Sequence, residues 1–346
     1  VCNRTFQNQQ TQNNNSLTQN YRRVCTFNSI IVNNLKYKQV SYFQILEHLN
    51  LIYEYSKNVT DYVEIITYGK TMEERSLVYL KISNNNGTTK PVAIIEAGIN
   101  PREWITIPAA VNIAEKLLNE QELLDKFDWI VIPVLNPDGY EYTHTNLRLW
   151  TKSMSQNSNL GMICPGVNLN RNFDIDWLVS DSSSSPCSHL YGGIEPFSEV
   201  ETQLTKHLLE EYGNRVTFYI SLRNKNGFVT YPWQFEQAAS GMFRQHYYLG
   251  LEMINNSKYN YTLDVASIAV AERISGTSTD YARQNGVLYP FNIEIIGRGD
   301  DFVFIPEEEI KDIVDDVWMM VSFLQTSIHP SIHTSSQTFT FIILVG

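Results

Sequence analysis

Ala97-Gly98-Ile99-Asn100-Pro101-Arg102-Glu103-Trp104 lies between two stretches of different periodicity. Before it, Val92-Ala-Ile-Ile-Glu-Ala97 is a short apolar run suited to a buried strand; after it, Ile107 to Leu118 carries apolar residues at helical spacing. The octapeptide is therefore a strand-to-helix turn, and it sets Glu103 just past the carboxyl end of a strand. The same alternation recurs along the chain. Trp129-Ile-Val-Ile-Pro-Val134 reads as a second buried strand closed by the turn Asn136-Pro-Asp-Gly139, and Val216–Ile220 and Leu288–Ile293 as two more. Helical stretches are expected at Val40–Tyr55, Val200–Tyr212, Gln237–Asn255 and Pro306–Ser327, the last opening on Pro-Glu-Glu-Glu, a favourable charge pattern for a helix start. Strands alternating with helices imply an α/β sheet covered on both faces. In such folds functional groups gather at the carboxyl ends of the strands, where Glu103, Ser221, Arg223 and Glu294 all fall.

The bulk properties narrow the function. A chain of 346 residues, 43% apolar and 18% charged, is long enough for a large core, and its formal net charge of −11 argues against nucleic acid or an anionic membrane as partner. The even count of four cysteines is compatible with two local disulfides, Cys2–Cys25 and Cys164–Cys187, although sequence alone leaves the connectivity open. Asn-x-Ser/Thr triplets at Asn3, Asn14, Asn58, Asn86, Asn255 and Asn260, with the paired cysteines, point to a secreted, extracellular glycoprotein. The start at Val1-Cys2 reads as a mature N-terminus. Three regions are expected: an Asn/Gln-rich extension over 1–36, a globular domain over 37–328, and a tail over 329–346 that ends Phe339-Thr-Phe-Ile-Ile-Leu-Val-Gly346. That apolar end is too short to span a bilayer, so no transmembrane segment is expected; it reads as a terminal strand or as the start of an anchor signal.

Several separated segments, taken in order, resemble the M14 zinc carboxypeptidases of the pancreatic A and B type: Gly98 to Thr106, Asn136 to Tyr140, Thr143-His144, Arg148-Leu-Trp150, Cys164 to Asn172, Ser182 to Tyr191, Tyr231-Pro232 and Phe291 to Pro306. The resemblance implies one α/β domain with a twisted, mixed eight-stranded sheet flanked by helices, a Cys164–Cys187 disulfide, and no propeptide domain. In that family a zinc held by two His and one Glu polarises the scissile carbonyl and acidifies a water. A glutamate takes the water's proton, and Arg, Asn and Tyr side chains hold the substrate carboxylate and the oxyanion.

By this resemblance the ligand positions are Asn100, Glu103 and Arg223, so two of the three ligands are replaced, one by a neutral amide and one by a permanent cation. None of the seven histidines (His48, His144, His189, His207, His246, His329, His333) pairs at ligand spacing near the cleft, and His144 is expected to be a satisfied structural histidine. Glu294 matches the general-base position. Arg102, Asn170 and Arg171 match substrate-binding residues, and Thr279 the floor of the specificity pocket, which it would make small and polar. Thr151 stands where the oxyanion arginine belongs and Glu272 where the mobile tyrosine belongs. The Arg223 guanidinium is expected to bond Glu103, Glu294 or both in place of a metal. The reading is a pseudoenzyme without cofactor that binds peptide or protein C-termini, or serves a structural role through self-association of its terminal extensions. The alternative is an active metallocarboxypeptidase that releases C-terminal amino acids through a non-standard zinc site.

Overall fold

The computed structural model describes residues 40–60, 62–84, 87–225, 227–298 and 302–323. The expected N-terminal extension, the Cys2–Cys25 pair, the sequons at Asn3, Asn14 and Asn86, and the tail over 329–346 lie outside these residues.

Eight strands form one mixed sheet in the order β1-β2-β4-β3-β5-β8-β6-β7. They are β1 (Val63–Lys70), β2 (Ser76–Ile82), β3 (Val92–Glu96), β4 (Asp128–Ile132), β5 (Val216–Arg223), β6 (Phe228–Tyr231), β7 (Thr262–Val265) and β8 (Tyr289–Glu294). The central strands β4, β3, β5 and β8 are mutually parallel, and β1, β2 and β6 supply the antiparallel pairings. Every residue of β3, β4 and β8 is buried, as expected of parallel strands covered on both faces.

The helices divide between those faces. On one lie α1 (Tyr42–Val59), α2 (Thr106–Leu117), α3 (Gln121–Lys126), α6 (Phe243–Asn255) and α9 (Glu307–Ser322), which pack Ile45, Leu49, Ile113 and Val317 against Ala93, Ile95, Phe218 and Ile293. On the other lie α5 (Val200–Tyr212) and α8 (Ser278–Gln284), which pack Leu204, Leu208 and Tyr281 against Val92, Ile94 and Tyr219. The remaining helices are α4 (Pro137–Thr145) and α7 (Ala266–Ala269).

The alternation 92/94 to one face and 93/95 to the other is the period of two that a strand imposes. The same parity sends Glu96, Ser221, Arg223, Asn292 and Glu294 to the α5/α8 face. Both the chain from β3 to β4 and the later strand β5 flank β3, on opposite sides. This reversal opens a crevice beyond the carboxyl ends of β3 and β5, where ligands bind in folds of this kind.

Two expectations shift. Asn136-Pro-Asp-Gly139 is the start of α4: the Asn136 carboxamide oxygen accepts from the Gly139 N–H at 2.9 Å, and Pro137 takes the first helical position. A side-chain cap followed by proline is a helix-start signal as much as a turn signal. The helix expected over Gln237–Asn255 begins at Phe243.

Candidate functional site

The chain leaves β3 through Gly98, whose φ of +66° places it in the left-handed region; a Cβ there would lie 3.2 Å from Val134 Cα. Thr106 locks the turn that follows, its hydroxyl donating to the Glu103 carbonyl at 2.8 Å and accepting from the Gly98 N–H at 3.2 Å. Asn100 and Glu103 are thereby held together, and the Asn100 amide donates to Glu103 Oε1 at 2.7 Å.

From β5, Arg223 enters the same point. Its Nε donates to Glu103 Oε2 at 3.1 Å and its Nη2 to Glu103 Oε1 at 3.3 Å, while the Asn224 backbone N–H adds a bond to Oε2 at 3.1 Å. Both oxygens of Glu103 are thus taken by a two-pronged guanidinium, in a site where Glu103 is only 5% exposed. Glu103 and the neighbouring Glu294 hold the Arg223 proton more firmly than in a free guanidinium, overcoming the opposing effect of burial.

Glu294 is directly across from Arg223 in the β5–β8 register, but the hydrogen bonds of the guanidinium go to Glu103. Burial lifts the Glu294 carboxyl to about 7; the positive charge of Arg223 opposes that rise and the negative charge of Glu103 adds to it. The site is a carboxylate closed by an arginine, beside a second carboxyl that is half-protonated near neutrality.

Two residues earlier on β5 and β8 the same face carries a buried polar row. Glu96, Ser221, Asn292 and Thr230 are register neighbours across β3, β5, β8 and β6. Glu96 accepts from the hydroxyls of Ser221 and Ser278, each at 2.9 Å, from Thr205 at 3.3 Å, and from Tyr219. Thr279 donates to Asn292 Oδ1 at 2.5 Å, and Asn292 donates on to Thr230 at 3.2 Å. Thr279, Asn292 and Thr230 thus form a chain of three buried polar side chains. Glu96 and Asn292 escape the sequence reading because a lone polar residue in an apolar run is indistinguishable there from any strand position. The only available signal is the cost of burying a carboxylate without partners.

The other site candidates are placed as follows. Arg171, in the 3-10 turn Leu169–Arg171, donates through Nε to the Asp181 carbonyl at 2.6 Å, through Nη2 to the Asp181 carboxylate at 2.5 Å and through Nη1 to the Asn170 carbonyl at 3.0 Å. Asn170 Oδ1 accepts from the Ser278 N–H at 3.1 Å, which turns the amide nitrogen the other way. Arg102 and Thr151 line one cavity of 470 Å³ with Trp150, Lys152 and His189, and the Arg102 Nε is buried without a partner. Glu272 is exposed on the loop before α8 and adds a negative charge near Arg171. His144 departs from expectation: it stacks on Trp104 with centroids 4.1 Å apart, and its Nε2 is buried with no hydrogen bond. Cys164 and Cys187 form the expected disulfide.

The donor set does not fit a zinc ion. Asn100 offers a weak neutral oxygen, Arg223 offers only donors, and Glu103 is saturated by a cation that would repel a second one. Among the described residues, no three His, Cys, Asp or Glu side chains converge in a way that could hold a metal. No helix there is long and apolar enough to cross a membrane.

Residues 48–320 match the sequence profile of the peptidase M14 family, the zinc carboxypeptidases. The chain is 34% identical over 313 residues to carboxypeptidase B of Helicoverpa zea, covering 86% of this chain and 72% of that one. It is 31% identical over 265 residues to carboxypeptidase B of Astacus astacus, covering 72% and 86%. The crystal structure of carboxypeptidase A from Helicoverpa armigera superposes with a TM-score of 0.77 at 26% identity, over 87% of this chain and 79% of that one. Bovine thrombin-activatable fibrinolysis inhibitor in complex with a tick carboxypeptidase inhibitor superposes at 0.76, also at 26% identity, over 84% and 97%.

Proposed function

The chain belongs to the M14 zinc carboxypeptidase family, and we propose that it is a member without hydrolytic activity whose cleft binds peptide C-termini. One observation carries this reading: the Arg223 guanidinium holds both oxygens of Glu103 at the strand end where the family's chemistry needs a metal. A base position survives at Glu294, but no side chain beside it can acidify a water for it to deprotonate. Thr151 supplies a neutral hydroxyl where a developing oxyanion needs a cation, and Glu272 brings a charge of the wrong sign.

What survives is suited to binding. Asn170 presents its amide nitrogen with the orientation set by Ser278, and the guanidinium of Arg102 has an unbonded buried N–H. Both are donors of the kind a carboxylate takes. The Thr279–Asn292–Thr230 chain favours a small polar side chain on the terminal residue. The disulfide and the exposed sequon residues Asn58, Asn255 and Asn260 support an extracellular setting. The net charge of −11 speaks against nucleic acid.

The test is calorimetric titration with one peptide in two forms, free carboxylate and C-terminal amide, alongside an assay for amino-acid release. The free acid should bind at least about ten-fold more tightly, a difference of about 1.4 kcal/mol, with no residue released. Equal affinity for the two forms would remove the binding role; steady release of the terminal residue would remove the pseudoenzyme.

A further inference from the structure

The 470 Å³ cavity beside the Glu103 turn is lined by Arg102, Lys152 and His189, and by no aspartate or glutamate. Lys152 is 4% exposed, yet it has no ion pair among the described residues. Its Nζ donates to the Pro186 carbonyl at 2.7 Å, next to Cys187 on the lining, and makes no other hydrogen bond there. Burial draws the ammonium down to about 8, against the opposing effect of Glu199. The Arg102 side chain makes no hydrogen bond and no ion pair with any described residue, and its Nε is buried. None of the lining residues adjoins, in sequence, a stretch outside the described ones.

A buried lysine and a buried guanidinium N–H on one wall repel each other and leave donors unmet. A single anion between them would answer both. We propose that this anion is the side-chain carboxylate of a glutamate in the bound peptide, a few residues from its C-terminus. The proposal rests on the reading of the cleft as a binder of peptide C-termini and adds a second point of recognition to it. Arg102 belongs to the turn that carries Asn100 and Glu103, so the cavity borders the cleft, and a guanidinium has donors enough for two carboxylates. Leu147, Leu149 and Trp150 give the cavity an apolar side, suited to the methylenes of a glutamate and wasted on a free inorganic anion.

The test is calorimetric titration of the full chain with peptides that carry Glu or Gln at the second, third or fourth residue from the end and no other acidic side chain. Each is made as free acid and as C-terminal amide. At one of these positions Glu should bind at least about ten-fold more tightly than Gln, in the acid and amide series alike. Lys152→Gln should erase that preference and leave the preference for the free acid in place. Equal affinity for Glu and Gln at all three positions overturns the inference, and a persisting free-acid preference would then leave the C-terminal reading standing. Loss of the free-acid preference alone in Lys152→Gln also overturns it, because the cavity would then seat the terminal carboxylate. A second measurement needs no variant. Carbodiimide coupling of the amidated Glu peptide to the wild-type protein should join the glutamate side chain to Lys152 in peptide mass spectrometry; bonds only to other lysines contradict the seat.

Discussion

Arg223 supplies the positive charge at a strand end that gathers two carboxyl groups. Taking a guanidinium out of water costs several kcal/mol, which the paired bonds to Glu103 and the nearby charge of Glu294 offset. Arg223→Ala leaves Glu103 buried with no cation, and should lower the unfolding free energy by about 3–5 kcal/mol in urea titration; an unchanged midpoint contradicts the pairing. Glu294 gives a pH signature. Its folded carboxyl sits at about 7 against an ordinary 4.5, so the folded chain binds more protons than the unfolded one between those values. The associated stability is fully present below about 4.5 and is lost as pH rises through about 7. Glu294→Gln removes that loss, so its stability relative to the wild type should improve by on the order of 3 kcal/mol between pH 4.5 and 8.5; a constant difference contradicts it. At this scale the sequence is legible where chemistry is local. Asn100 and Glu103 share one turn and Arg223 closes one strand, so their meeting could be anticipated. The capture of Arg171 by Asp181 could not be, because it depends on how a long irregular loop folds back. The orphaned Nε2 of His144 follows from its stacking on Trp104, which no spacing rule encodes.

The central strands and five of the covering helices, α1, α2, α5, α6 and α9, were readable from apolar runs and helical spacing, while the short helices α3 and α8 were not. Four strands were not. β1 is an edge strand with a single buried residue, and β6 and β7 are only four residues each; β2 carries the apolar run Leu77–Leu80, which the sequence reading passed over. Their number came from the family resemblance, not from periodicity. The buried polar row is a property of elements in register, since Glu96 draws its hydroxyl donors from α5, β5 and α8. Glu96→Leu should cost at least about 3 kcal/mol, because it strands four buried hydroxyls at once. Glu96→Gln, which keeps one acceptor, should cost distinctly less. Thermal unfolding of the two variants separates these outcomes, and equal losses would mean that packing, not the hydroxyl cluster, sets the value of this position.

For the whole molecule, sheet order explains why these residues meet. Successive connections run to opposite sides of β3, and the crevice left at that reversal receives Glu103 from the turn after β3, Arg223 from the end of β5 and Glu294 from the end of β8. The crevice is occupied by the Arg223–Glu103 pair. Asn100→His with Arg223→His should therefore take up close to one zinc per chain, because the change frees Glu103 and restores a two-His, one-Glu donor set. Failure of that variant to bind zinc while still folded would show that the crevice has drifted beyond ligand geometry. The most direct measurement is elemental analysis of zinc in dialysed wild-type protein. The account predicts less than about a tenth of an equivalent per chain, since a guanidinium cannot deprotonate to become a ligand; a full equivalent would contradict it.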